Sequence, residues 1–290
     1  RLQDLLSHIY ALIPVLDNKK HYWVDQQEVE KLLLRGETWL ADHPEQEYIT
    51  RRYLRYHKPL IQAALAQLNE ENNTDEDQTQ PDQEEDMIEQ YIGLHQKRLE
   101  AVVELLEECN AARVLDLGCG EGRLIKLLLN KPQFKQIVGM DVSYRALEEA
   151  ARRLKLSRMS NRQRQRISLL QGSLMYRDGR MDGFDAAAIV EVIEHLDPPS
   201  LAAFERVVFE GARPEAVIIT TPNREYNVKW KTMPGGKFRH PDHRFEWTRT
   251  EFQHWSRRVA ERYGYEVRFL PVGPEEPDIG APSQIGVFTR

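Results

Sequence analysis

The segment Val114-Leu-Asp-Leu-Gly-Cys-Gly-Glu-Gly122 restricts the fold of this chain more than any other. A short apolar run enters Asp116. Three glycines follow at Gly118, Gly120 and Gly122, and then the helical run Arg123-Leu-Ile-Lys-Leu-Leu-Leu129. Glycines at this spacing let a strand turn sharply into a helix and bring backbone close to a ligand. The loop lacks the spacing of a phosphate loop, G-x-x-x-x-G-K-[ST]. It also lacks the G-x-G-x-x-G spacing of a nicotinamide site, which sets a dehydrogenase aside. A second strand, Gln136-Ile-Val-Gly-Met140, ends at Asp141, about 20 residues past the glycines. A carboxylate there suits a ribose diol, because it accepts both hydroxyl protons.

Beyond the loop, strand and helix patterns alternate. Expected elements are 112–117, 122–130, 136–140, 144–156, 167–171, 184–190, 200–211 and 216–221, followed by a helix at 249–263 and strands near 265–272 and 284–289. A helix over 88–108 precedes them. The expected architecture is α/β: a doubly wound, mainly parallel, seven-stranded sheet, preceded by a small helical segment. Ligands of such sheets bind beyond the carboxyl ends of the strands.

Three regions are expected in the 290 residues. Residues 1–68 read as helical: Asp17-Asn18 begins a helix or turn, Gln26 to Leu40 has apolar residues at helical spacing, and Pro44 leads into Tyr48 to Leu54. Residues 69–86 read as an acidic flexible linker; from Glu70 to Asp86 there are nine acidic residues and no basic one. Residues 87–290 form the main domain. The chain begins with Arg1 and is expected to be part of a longer protein.

A hydrophobic content of 41% supports a real core. No run approaches a membrane span and no signal peptide is visible. Cys109 and Cys119 imply no disulfide framework and suit a cytoplasmic setting. Cys119 reads as a small filler in the glycine loop. Net charge of −6 argues against indiscriminate nucleic-acid binding. The run Arg152 to Arg166 opposes that average with seven cations, as a solvated surface or as a phosphate-attracting patch.

A second constellation carries chemistry. After the strand at 184–190 stands Glu191-Val-Ile-Glu194-His195. A helix there would put Glu191, Glu194 and His195 on one face. Two carboxylates and an imidazole suit Mg²⁺ or Mn²⁺. Asp242-His243-Arg244-Phe245-Glu246-Trp247 follows the strand at 216–221 and offers His243 as a fourth ligand. Two carboxylates repel unless something positive lies between them. His240 has three readings: a general base, a substitute ligand or a loop residue facing water. Phe245 and Trp247 read as packing beneath the loop, with base stacking as the alternative. Gln96 and Arg98 are further candidates to face RNA or cofactor.

The glycine loop with Asp116, Gly118, Gly120 and Asp141 resembles the class I S-adenosylmethionine-dependent methyltransferases. That resemblance implies a cofactor whose methionine end lies in the loop and whose ribose meets Asp141. Ser173 and Leu174, after the third strand, fall where family members contact adenine; serine stands where an aspartate is common. With Thr221-Pro-Asn223 and the Asp242 to Trp247 motif added, residues 87–275 resemble the small-RNA 3′-terminal ribose 2′-O-methyltransferases of the HUA-enhancer type. The resemblance implies that Glu191, Glu194, His195 and His243 bind Mn²⁺ or Mg²⁺ and that an RNA 3′ end is the substrate. Leu12 to Val24 and Ile49 to Leu54 look like bacterial members, which implies a polynucleotide kinase-phosphatase-ligase as a repair partner. A cation on the 2′ and 3′ oxygens would acidify the 2′-hydroxyl and select ends with a free diol. Two imidazoles in the set favour Mn²⁺ over Mg²⁺, and no cysteine is placed to favour zinc. The rival readings are a small-molecule O-methyltransferase and a partner-binding module on a methyltransferase scaffold.

Overall fold

Seven strands form one sheet in the order β3-β2-β1-β4-β5-β7-β6, in which β1 to β5 are parallel and β7 runs against both of its neighbours. They are β1 (Arg113–Leu117), β2 (Gln136–Asp141), β3 (Ile167–Gln171), β4 (Ala186–Val190), β5 (Ala216–Pro222), β6 (Glu266–Val272) and β7 (Ser283–Thr289). The computed structural model describes residues 31–34, 36, 40, 43, 46–53, 93–229, 238–240 and 242–290. The expected linker at 69–86, the turn at Asp17-Asn18, Pro44 and the first residues of the expected 88–108 helix lie outside them.

The chain divides into two compact units, Arg1–Gln78 and Thr79–Arg290. In the first, α1 (Gln46–Tyr53) buries Ile49 and Tyr53. In the second, central strands are apolar almost without interruption: every residue of β5 and four of five in β4 are buried. This is the pattern of strands covered on both faces. Alternation sends Val114, Ile137, Ala186 and Ile218 into one core with α2 (Leu94–Glu108) and α3 (Arg123–Leu129). It sends Leu115, Val138, Ala187 and Ile219 into the other, with α6 (Pro198–Glu205) and α7 (Arg249–Tyr263). Between them in chain order, α4 (Tyr144–Arg153) and the single turn α5 (Asn161–Arg164) link β2 to β3.

Local signals fix the helix ends. Thr248 and Glu251 form a capping box on α7, and Gly264 ends it at φ 75°. Asp197 caps α6, with prolines in its first turn. The expected helix at 200–211 starts at Pro198 and changes character at Arg206, where a π-helical stretch runs to Ala212. That wider turn buries Val207, Val208, Phe209 and Ala212 together.

Candidate active site

The glycine loop folds over the end of β2. The backbone N–H groups of Gly118 and Cys119 both donate to the Met140 carbonyl, at 2.8 and 3.1 Å. Gly118 has φ 80°, and a Cβ there would stand 2.5 Å from Val192 Cγ2, so only glycine fits. Gly120 has φ 49°, and nothing lies within 4 Å of the position its Cβ would take. Its N–H donates to Asp141 Oδ2 at 2.9 Å, and Ser143 N–H donates to Oδ1 at 2.8 Å. Each Asp141 oxygen thus keeps acceptor capacity for a hydroxyl. Gly172 N–H reaches the Asp141 carbonyl at 3.1 Å, which brings the turn at Ser173 and Leu174 alongside. Ser173 Oγ accepts Met175 N–H at 3.2 Å, and Leu174 is buried. Burial raises the Cys119 thiol, so this cysteine is an inert filler.

Asp116 is buried beneath the loop, and its Oδ2 has no hydrogen-bond partner. Burial, then the charge of Asp141, pushes its carboxyl up to about 7. An orphaned carboxylate oxygen and open space over Gly120 fit a cofactor with hydroxyl and ammonium donors. The folded-state value lies above the ordinary 3.8. Stability from this group is therefore complete below pH 3.8 and lost as pH rises through about 7. Cofactor-free Asp116→Asn protein should gain on wild type by about 1.4 kcal/mol per pH unit across that window. Denaturant melts at pH 5 and pH 8 check this; a pH-independent difference would refute it.

The edge of β4 departs from the expected helix. Glu191 has φ 53°, a left-handed conformation, and Ile193–His195 form one 3-10 turn. Glu191, Glu194 and His195 therefore do not share a helix face. The backbone N–H of Glu191 meets the Thr220 hydroxyl at 3.1 Å, and that hydroxyl donates to Glu191 Oε1 at 2.8 Å. These bonds from β5 hold a conformation that glutamate alone disfavours. Ser283 Oγ, from the start of β7, donates to the same oxygen at 3.2 Å. Arg98, buried on α2, reaches Glu191 Oε2 at 3.2 Å. Glu194 is fully buried and accepts the Thr221 hydroxyl on Oε2 at 3.1 Å, while its Oε1 has no hydrogen-bond partner. Burial first, then the Glu191 charge, raises the Glu194 carboxyl well above its ordinary range. The two acids are thus electrostatic neighbours although no helix aligns them.

The segment after β5 closes on this edge. Arg244 N–H donates to the Glu194 carbonyl at 2.7 Å. That bond brings three histidines together. Ring centroids stand 4.9 Å apart for His195 and His243, 5.5 Å for His240 and His243, and 5.9 Å for His195 and His240. One ligand atom from each lies within 4.8 Å of the other two, the group of this kind found among the described residues. His243 Nδ1 stands 2.7 Å from Glu246 Oε1, so Nδ1 donates and Nε2 remains for a ligand. Burial pushes the Glu246 carboxyl up, but bonds from His243 and Asn227 and the charge of Arg239 bring it below its ordinary range. Buried Arg239 anchors the loop, donating to the carbonyls of Asn223 and Pro282 at 2.6 and 2.8 Å.

Sequence reasoning left Glu246 without a role, yet the three-residue step from His243 is the signal of a carboxylate-oriented histidine. It also treated Arg98 as facing RNA or cofactor; the side chain is instead interior, opposite Glu191. Gln96 is exposed and bonds to Glu100. Phe245 stacks on Trp247 at 4.1 Å, and Trp247 packs toward Trp255. In the basic run, Arg166 is spent on the carbonyls of Leu129, Lys131 and Phe134, and Arg164 on that of Ile167. Only part of that charge is left for an outside phosphate.

A glycine loop, an acidic end to β2, and a sheet whose last strand in sequence runs antiparallel define a class I methyltransferase fold. Residues 115–218 match the family model of a methyltransferase domain, and residues 1–69 match that of the RNA repair, ligase-Pnkp-associating, region of Hen1. The crystal structure of the methyltransferase domain of bacterial CtHen1-CN is 54% identical, with a TM-score of 0.63 over 68% of this chain and 100% of that one. The chain belongs to the Hen1 family. The crystal structure of small RNA methyltransferase HEN1 is 31% identical, with a TM-score of 0.61 over 68% of this chain and 26% of that one. The small RNA 2′-O-methyltransferase of Mus musculus is 38% identical over 205 residues, 68% of this chain and 51% of the mouse protein. The chain spans about half the length of the curated relatives it matches.

Proposed function

We propose that this chain transfers the methyl group of S-adenosylmethionine to the 2′-hydroxyl of the 3′-terminal ribose of RNA, assisted by Mn²⁺ or Mg²⁺. The observation that carries this reading is the cluster of His195, His240 and His243 on the edge that also bears the glycine loop, with the orphaned Glu194 oxygen on the same turn as His195. Asp116, Gly118, Gly120, Asp141, Ser173 and Leu174 hold the cofactor. Glu191, Glu194, His195 and His243 hold the ion. An imidazole turned by Glu246, next to two further histidines, is a nitrogen donor set for a divalent cation. A divalent ion held by these residues would acidify the 2′-hydroxyl, and a requirement for both ribose oxygens would select a terminal diol. Arg98 neutralises part of the paired carboxylate charge, and the Thr220, Thr221 and Ser283 hydroxyls fix both carboxylates in direction. Residues 1–69 supply a docking region for a kinase-phosphatase-ligase in RNA repair, following the description of the family region they match. No helix among the described residues is long and apolar enough to cross a membrane, and the reading places the protein in the cytoplasm.

The test is methyl transfer from labelled S-adenosylmethionine to short RNAs ending in a 2′,3′-diol, a 2′-deoxyribose or a 3′-phosphate, each with Mn²⁺ or EDTA. Transfer to the diol alone, and only with metal, is the expected result. Transfer that ignores EDTA would remove the metal from the reading. No transfer to any RNA would move a small-molecule substrate to the front.

A further inference from the structure

We propose that Phe238 stacks on the open face of the 3′-terminal nucleobase of the RNA. The inference rests on the RNA reading above and names the group that receives the base. A last nucleotide has a neighbour on its 5′ side alone, so one face of its base is left bare. An aromatic side chain replaces the missing neighbour, and it serves any base because every base has a π-face.

Phe238 is 38% exposed, and among the described residues no aromatic ring packs against it. A single exposed aromatic is ordinary on a protein surface. This one is tied to the histidine cluster. The peptide N–H that follows it, that of Arg239, donates to Glu246 Oε1 at 2.5 Å, and the same oxygen takes His243 Nδ1 at 2.7 Å. Glu246 Oε2 accepts the Asn227 amide at 2.6 Å, and Asn227 Oδ1 accepts Arg239 Nε at 2.6 Å, which closes a ring of bonds. One carboxylate thus sets both the backbone beside Phe238 and the imidazole of His243. Val228, next to Asn227 on the same network, is 76% exposed, so the network carries two bare apolar side chains. Phe245 and Trp247 are already spent: they stack on each other at 4.1 Å, and Trp247 packs toward Trp255. With the terminal ribose at the histidines, its base extends from them by one glycosidic bond and needs a wall there. Phe238 supplies it.

The test uses the whole chain with Mn²⁺ and short RNAs carrying 2-aminopurine as the last base, whose fluorescence falls when an aromatic ring stacks on it. Wild type, Phe238→Ala and Phe238→Trp are compared, with exposed His254→Ala as control and thermal melts to confirm folding. Added quenching by wild type and Phe238→Trp, and none by Phe238→Ala, is expected. In methyl transfer to ordinary RNA, Phe238→Ala should raise KM about 5- to 150-fold, the range of one base–aromatic stack, with kcat nearly kept. On RNA ending in an abasic ribose diol, wild type and Phe238→Ala should share one KM. No added quenching by wild type, or an equal loss on abasic and ordinary ends, would overturn the role of Phe238 and leave the methyl-transfer reading standing. Quenching that depends on Phe238, without methyl transfer to any RNA, would overturn the reaction and keep the base contact.

Discussion

Glu194→Gln is expected to lower RNA methyl transfer by at least about 10²–10³-fold, the usual cost of removing one preorganised electrostatic group from an active site. The same change should leave the metal-free fold intact. Glu194 is fully buried, and burial with the Glu191 charge raises its carboxyl far above 4.5. The metal-free protein thus keeps a proton on this acid that the unfolded chain gives up. Stability from the group is complete below about pH 4.5 and is lost as pH rises through the raised folded value. Glutamine matches the protonated acid in shape, keeps an acceptor for the Thr221 hydroxyl and does not titrate. In EDTA, melts of wild type and variant should coincide at low pH and separate in favour of the variant as pH rises. Single-turnover transfer with Mn²⁺ gives the other half of the result. Loss of activity that merely follows loss of fold, or retained activity, would contradict this role.

Gly118→Ala should be the most damaging small change in the cofactor loop. A φ of 80° costs a residue with a Cβ about 1–2 kcal/mol. The added methyl then meets Val192 Cγ2 at 2.5 Å, an overlap that core overpacking values at about 1–3 kcal/mol. A total near 2–5 kcal/mol is expected in denaturant melts. Val192 follows Glu191, so the push also reaches the carboxylate edge. Gly120→Ala gives the contrast. Its φ of 49° carries the conformational cost, but its Cβ meets nothing within 4 Å. That methyl occupies the space above the loop, so the loss should fall on S-adenosylmethionine affinity more than on stability. Calorimetric titration of both variants checks the division. Equal stability losses would mean that the Val192 contact yields without cost.

The sheet was legible because each strand carries its signal locally. The run at 167–171 and the helix at 249–263 fall at the expected bounds, since hydrophobic alternation and a Thr-x-x-Glu cap need no distant partner. The site was legible in composition and less so in geometry. Nothing local marks Glu191 as left-handed; Thr220, 29 residues on, imposes it. Arg98 meets Ser283 across 185 residues, a pairing that periodicity cannot reveal. His240 meets the other histidines through bonds that span the fold, among them Arg244 N–H to the Glu194 carbonyl and Arg239 to the carbonyls of Asn223 and Pro282. These are tertiary overrides of local preference, and they gather where function is proposed.

The antiparallel placement of β7 reverses which of its ends meets the site. Five parallel strands point their carboxyl ends at the ligand edge; β7 offers its amino end, and with it Ser283, which touches both Glu191 and Arg98. During synthesis this strand emerges after the other six, and β6, whose one strand partner is β7, joins the sheet only with it. Until it does, two neighbouring acids lack one of their restraining hydroxyls, and β5 keeps an open flank. A nascent chain held on the ribosome before that step would therefore carry its glycine loop and a Glu191 carboxylate edge not yet assembled.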